Sequence, residues 1–288
     1  MENLNYIKKK ALFGMVFFLS MAVHAQSDFP TDSVQDSRWK TFKYDFGNIL
    51  GGIGHAYTRP LSWKGKDFSR AAATTLATLA LFTVDDEIQD WKNGFAGDVP
   101  DFVKDYGNNF ANPSNNYLFT GGVYLTGLFA KSPKWRRTGV LMISSATAGG
   151  FLQQVVKRIV GRARPRSGDN SDVFDPLNLN RVFNYDSFFS GHTVLAFTNA
   201  YALAKNFDSP WVKSGIYFIG GIPGMVRIID DFHWTSDVFF GTIVSIAIVE
   251  SIDKYLDSKY GERSLQRKKK ISWNLNVRPN GIGITGNF

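Results

Sequence analysis

The 288 residues contain no cysteine. That excludes disulfides, thiolate zinc sites and cysteine nucleophiles together, and it leaves the redox compartment undetermined. Histidine is almost as scarce, with four in the chain, so chemistry that needs an imidazole has few candidates: His24, His55, His192 and His233. Long apolar runs are missing as well. The hydrophobic stretches are about 12 to 18 residues and rich in Gly, Ala, Thr and Ser, below the roughly 20 residues of a comfortable membrane span. Negative charge is the minority sign. The formal net charge is +8, which suits anionic substrates or a membrane surface. No zinc-finger, RNP or P-loop pattern accompanies it, so nucleic acid is not expected as a partner. Acidic clusters at Asp85-Asp86-Glu87, Asp169/Asp172/Asp175 and Asp230-Asp231 lack the glycine and terminal glutamate spacing of a calcium loop, and read as solvated loop or helix-cap carboxylates.

What the chain does have is ordered. A basic Lys8-Lys9-Lys10 run precedes an apolar stretch from Ala11 to Val23 and a small-residue end at Ala25. Residues 1–25 thus read as a secretory signal, with an uncleaved anchor helix as the alternative. Residues 26–69 are polar and rich in turn formers, an exported arm. Six helix-like apolar stretches follow, at roughly 70–84, 117–130, 138–157, 192–205, 212–226 and 237–254, punctuated by Asn112-Pro113, Ser132-Pro133, Arg164-Pro165 and Ser209-Pro210. They predict one all-α bundle over 70–255. Residues 256–270 are charged and read as a solvated linker. In the last stretch Ile271, Trp273, Leu275 and Val277 alternate with polar neighbours, and Ile282 and Ile284 resume the alternation after Pro279-Asn280-Gly281, a small β-hairpin. Gly281-x-Gly283-x-x-Gly286 matches a dinucleotide pattern literally, but no helix follows it, and the match is discarded.

Three motifs carry the chemistry. In Lys157-x6-Arg164-Pro165 one cation closes an apolar helix and the other stands just before a proline that biases it out of the helix. Both can reach one anion, although the segment alone is equally a basic helix end that solvates itself. Ser190-Gly191-His192 opens a helix. Ser190 is a natural N-cap, and the free N–H groups behind Gly191 form an anion site with His192 beside it; alone, this is also an ordinary capped helix. Arg227-x5-His233-x3-Asp237 places a carboxylate four residues after a histidine. If the last helix begins near His233 the two share a face, and Asp237 can accept the Nδ1 proton and leave Nε2 free as a nucleophile. A structural His-Asp cap has the same spacing.

In order and spacing these motifs resemble the type 2 phosphatidic acid phosphatase superfamily (PAP2), which includes bacterial acid phosphatases and vanadium haloperoxidases and whose pattern is K-x6-RP, PSGH and SR-x5-H-x3-D. The resemblance covers roughly residues 117–250. Phe189 stands where the family has a proline, which should loosen the loop, and Val226 replaces a serine. The resemblance implies a PAP2-like six-helix bundle with a short C-terminal β-hairpin-like tail. It implies a phosphate clamp of Lys157, Arg164, Ser190, Gly191 and Arg227, with His233 as nucleophile, Asp237 as its support and His192 as the acid and base. With three cations in the place metals take elsewhere, no metal or other cofactor is expected, and vanadate should inhibit. A bell-shaped pH profile should result, His233 neutral while His192 is protonated.

The expected substrate is a phosphomonoester or diphosphate of a membrane lipid, such as phosphatidate, an isoprenoid diphosphate or lipid A. A vanadium-dependent haloperoxidase and a soluble non-specific acid phosphatase are the alternatives. No obligate protein partner is expected. If five of the six apolar stretches cross a membrane after an exported N-terminus, Lys131 to Arg137 and the Lys268 to Lys270 run fall inside and all three motifs face the periplasm. A peripheral exported bundle is the competing arrangement.

Overall fold

A computed structural model describes residues 37–177, 183–268, 272–278 and 281–287. The expected signal, the start of the arm, and residues 178–182 of the loop between the first two motifs lie outside these. In chain order the helices are α1 (Arg38–Thr58), α2 (Gly65–Phe82), α3 (Asp85–Asn93), α4 (Asp101–Phe110), α5 (Pro113–Phe129), α6 (Pro133–Val160), α7 (Gly191–Ala204), α8 (Pro210–Ile229) and α9 (Thr235–Lys268), followed by strands β1 (Ser272–Arg278) and β2 (Gly281–Asn287). All six apolar stretches are helices, α2 and α5 to α9. The arm turns helical at Arg38, and α1 packs on α6 and α9. The stretch read as a linker is the continuation of α9, which runs unbroken to Lys268, with Leu256 fully buried. The strands pair antiparallel, Leu275 opposite Ile284 and Val277 opposite Ile282.

Punctuation in the sequence becomes capping in the structure. Asn112, Ser132 and Ser209 each stand at an N-cap, accept a backbone N–H from the first turn (Ser114, Trp135 and Val212), and are followed by proline at the first helical position. Proline suits that place because its missing N–H would have no partner there. Inside α8 another proline, Pro223, leaves the Ile219 carbonyl without its intrahelical donor. Tyr106 of α4 donates its hydroxyl to that carbonyl at 3.4 Å. α4 therefore docks where the helix ladder is open.

The bundle core is built from small and branched residues of α6, α7 and α9, among them Val140, Met142, Ala146, Val194, Ala196, Val249 and Ile252. Gly139 of α6 lies against the backbone of Tyr124 in α5, too close for a Cβ. Helix directions then decide where function can sit. α6 and α8 end, and α7 and α9 begin, at the same end of the bundle, because the connections 161–190 and 230–234 join them there. Lys157 occupies the last turn of α6 and Arg227 that of α8.

Gly161 ends α6 with φ 58°, and a Cβ at that position would overlap the Asp175 carbonyl. Both features exclude other residues. Gly161→Ala should lower stability by more than about 1 kcal/mol, read as a fall in melting temperature of the purified protein; an unchanged melting temperature would show that the turn has room to relax.

Candidate active site

The segment after Gly161 is extended and held on both sides. Ala163 N–H donates to Val173 O (2.9 Å), Arg164 N–H to Asn184 O (2.7 Å), and Ser187 N–H to Arg162 O (3.0 Å). This fixes Arg164, which stacks over Phe183 at 4.3 Å, donates from Nε to Asp186 Oδ1 (2.6 Å) and from Nη1 to Phe232 O (3.2 Å). Lys157, one helix end away, is buried. Arg227 lies over the Phe232 ring at 4.3 Å and points Nη2 at His192 Nε2 in a close contact, while its Nε has no partner in the protein.

Ser190 caps α7 as the sequence predicted. Its Oγ accepts the Thr193 N–H (3.4 Å) and the Thr193 hydroxyl (2.9 Å), so its own proton is free for a ligand. Gly191 lies close to the end of the Gln153 side chain, which a Cβ would meet at 3.1 Å and would have to displace slightly. Phe189, where a looser loop is expected, is packed. Its ring is fully buried against Phe188 and Phe240, so apolar packing holds the turn where the family has proline. Val226 is buried too, filling the space above Gly107 of α4.

His233 lies in the turn before α9, two residues earlier than the helix itself. Its N–H and that of Phe232 both donate to Arg227 O (3.1 and 2.9 Å), with Asp231 at φ 60° making the reversal. The ring is buried, and Nδ1 stands 3.6 Å from Asp237 Oδ2, outside hydrogen-bond distance but aimed at it. The cause is competition. Asp237 Oδ2 already accepts Ser187 Oγ (2.5 Å) and the Trp234 N–H (3.0 Å), the second bond being the backward half of a capping box at the start of α9. His55 lies apart from the site, stacked on Tyr255.

Two charged residues that matter here were not among the expected site residues. Arg162, read as one of several solvated cations, is 1% exposed. It donates from Nη1 to Asp237 Oδ1 (2.7 Å) and from Nη2 to Asp85 Oδ2 (2.8 Å), between the rings of Phe82 and Trp234. Asp85, read as a solvated carboxylate, is also 1% exposed. Its neighbour Asp86 accepts the Ser171 N–H and hydroxyl (3.0 and 2.7 Å). The only local cue is Gly161-Arg162-Ala163, a cation between two small residues.

Among the described residues, three helices are long and apolar enough to cross a membrane: α6, α8 and the Thr235–Arg263 part of α9. α7, with 14 residues, spans only about 21 Å at 1.5 Å per residue. Both site histidines lie outside the three long helices. Burial, with Lys157 and Arg164 adding to it, holds His233 well below the usual imidazole range, so it is neutral at pH 7. Burial and then Arg227, Lys157 and Arg164 push His192 down to about 3. His192 is therefore neutral near pH 7, unlike the sequence expectation, in which it carries its proton from the start.

The family model of the PAP2 superfamily matches residues 138–253, which contain all three motifs. Over this segment the chain matches the PAP2 superfamily. It is 25% identical over 249 residues to a lipid A 1-phosphatase of Porphyromonas gingivalis, covering 84% of this chain and 49% of that protein. It is 30% identical over 106 residues to a lipid A 1-phosphatase of Rhizobium etli, covering 36% and 44%. The chain thus spans about half the length of the curated relatives it matches. Among solved structures, Aquifex aeolicus LpxE is similar with a TM-score of 0.43 and 22% identity, over 60% of this chain and 96% of that one. A transmembrane PAP2 type phosphatidylglycerolphosphate phosphatase from Bacillus subtilis is similar with a TM-score of 0.38 and 19% identity, over 75% and 96%.

A neutral His192 among three cations should take up a proton when a dianion enters. Sulfate does not titrate near neutrality, so its binding should tighten as pH falls from 8 to 5, and His192→Asn should flatten that dependence. Equal slopes for the two proteins, measured by calorimetry, would exclude the uptake.

Proposed function

We propose that this protein is a phosphatase that removes phosphate from a membrane lipid phosphate or diphosphate through a phosphohistidine on His233. The observation that carries this reading is the convergence of Lys157, Arg164 and Arg227 with a neutral, buried His233 backed by Asp237. The three cations and the α7 N-terminus, with Ser190 Oγ and the Gly191 N–H, bind the phosphoryl oxygens and stabilise the charge spread over them in the transition state. His233 Nε2 attacks phosphorus, forming the P–N bond as the bond to the leaving oxygen breaks. Asp237 stabilises the imidazolium that forms, and its 3.6 Å separation closes as charge develops. The incoming phosphate draws Arg227 from His192, which gains a proton and delivers it to the leaving oxygen. His192 then takes a proton from the water that cleaves the P–N bond. No step calls for a metal.

Lipid as the substrate class rests on the three apolar helices and on apolar side chains exposed along them, Phe151 on α6 and Trp211, Phe218, Ile219 and Met225 on α8, which a hydrocarbon environment would cover. The matches to lipid A 1-phosphatases favour a glycolipid phosphate within that class. The site then faces the periplasm, with Lys134 and the C-terminal end of α9 on the cytoplasmic side.

His233→Ala should abolish both turnover and the acid-labile phosphoenzyme, and Asp237→Asn should lower kcat at least about 100-fold; normal turnover by the His233 variant excludes this mechanism. Orthovanadate, whose trigonal-bipyramidal form mimics the transition state, should inhibit, and EDTA should leave activity intact. Strict restoration by added magnesium or zinc would contradict that. A chain without cysteine also allows clean labelling. Cysteines introduced at 168 and 134 should be accessible and protected, respectively, in intact spheroplasts; the reverse pattern would invert the orientation, and extraction by carbonate would remove the membrane arrangement.

A further inference from the structure

The carboxylate of Asp85, at the start of α3, reaches the first turn of α9, 151 residues away. Asp85 Oδ1 accepts the Ser236 N–H (2.9 Å), and Oδ2 accepts Arg162 Nη2 (2.8 Å) and, in a short contact, the Ser236 hydroxyl. Ser236 Oγ in turn accepts Arg162 Nη1 (2.8 Å), the same nitrogen that donates to Asp237 Oδ1 (2.7 Å). Asp85, Arg162 and Asp237 form one buried chain that ends 3.6 Å from His233 Nδ1. A carboxylate serving only to cap α9 would need the Ser236 N–H alone. Asp85 does more, because it holds the far side of the guanidinium that touches Asp237.

Charge gives this arrangement its consequence. An isolated Arg162–Asp237 pair is neutral, and a fully committed guanidinium would weaken the hold of Asp237 on a protonated or phosphorylated imidazole. With Asp85 the trio carries one net negative charge, buried, beside the residue that becomes positive when phosphoryl transfer occurs. We infer that Asp85 is a positioning residue for the reaction, acting through Arg162 and Asp237 to set the orientation of His233 and the stability of its imidazolium. The inference rests on the reading of His233 as the nucleophile.

The test is a double-mutant cycle on Asp85→Asn and Asp237→Asn, assayed as phosphate release from phosphatidate in detergent micelles. Asp85→Asn should lower kcat about 10- to 100-fold with KM within about twofold, and in the Asp237→Asn background the same change should cost less than about twofold. Asp86→Asn, which loosens the neighbouring Ser171 contact, should lower the melting temperature and leave kcat and KM as they are. Costs that multiply across the two backgrounds, or a kcat unchanged in Asp85→Asn, would overturn the inference. Should Asp85→Asn fail to fold, Ser236→Ala interrupts the same chain and is judged by the same rule, with a smaller expected loss of about 3- to 10-fold. Wild-type phosphoenzyme trapping tests the nucleophile separately: no label on His233 would overturn the parent reading, whereas label on His233 with multiplicative costs would overturn this inference alone.

Discussion

Asp237 is a fully buried carboxylate at the point where the three sequence motifs have to meet. Its oxygens take Arg162 from the connection after α6, Ser187 from the loop before α7, and the Trp234 N–H of its own turn. Its main-chain carbonyl accepts the Ser190 N–H (3.3 Å). An ionised group out of water is tolerated only with this degree of satisfaction, and removing a partner from such a pair typically costs about 3 to 5 kcal/mol. One side chain therefore acts as the cap of α9, the joint between two loops and the support of His233. The loops that carry Arg164 and Ser190 are tied together at that joint.

Around the joint the charge balance is left uneven. Arg164 has Asp186, and Arg162 is matched twice over. Arg227, by contrast, has an Nε with no protein partner and a neutral imidazole at its tip, and Asp230 is outweighed among its neighbours by Arg164 and Arg166. Like charges this close repel one another, and an anion bound among them would lower their free energy. Binding and the readiness of His192 are thereby coupled, since the anion that neutralises the cations also makes the imidazole basic again.

Much of this was legible in the sequence because it depends on short-range signals. Helix caps are set by Ser-Pro and Asn-Pro pairs, apolar stretches by local periodicity, and each motif by residues within about ten positions of one another. Lys157, Arg164, Ser190, Gly191, His192, Arg227, His233 and Asp237 are brought to one end of the bundle as those signals implied. What stayed hidden depends on distant pairing. Arg162 meets Asp85 across 77 positions and Asp237 across 75, so the basic segment around it gave no sign of these two partners. Asp85 looked solvated because an acidic triplet at a helix start is ordinarily so. Residues 256–268 looked like a linker for their charge, although α9 runs through them, with Ile252 and Leu256 keeping one face of the helix in the core.

The break in the α8 ladder at Pro223 has a mechanical result. Because Tyr106 bonds to the exposed Ile219 carbonyl, Gly107 abuts Val226, and Asn108 donates to Asp230 Oδ2 at 3.0 Å, three successive residues of α4 grip α8 before, within and after its last turn. The segment bearing Arg227 cannot tilt independently of α4. A tilt of that segment would carry α4 with it, the two helices moving as one leaf from the proline.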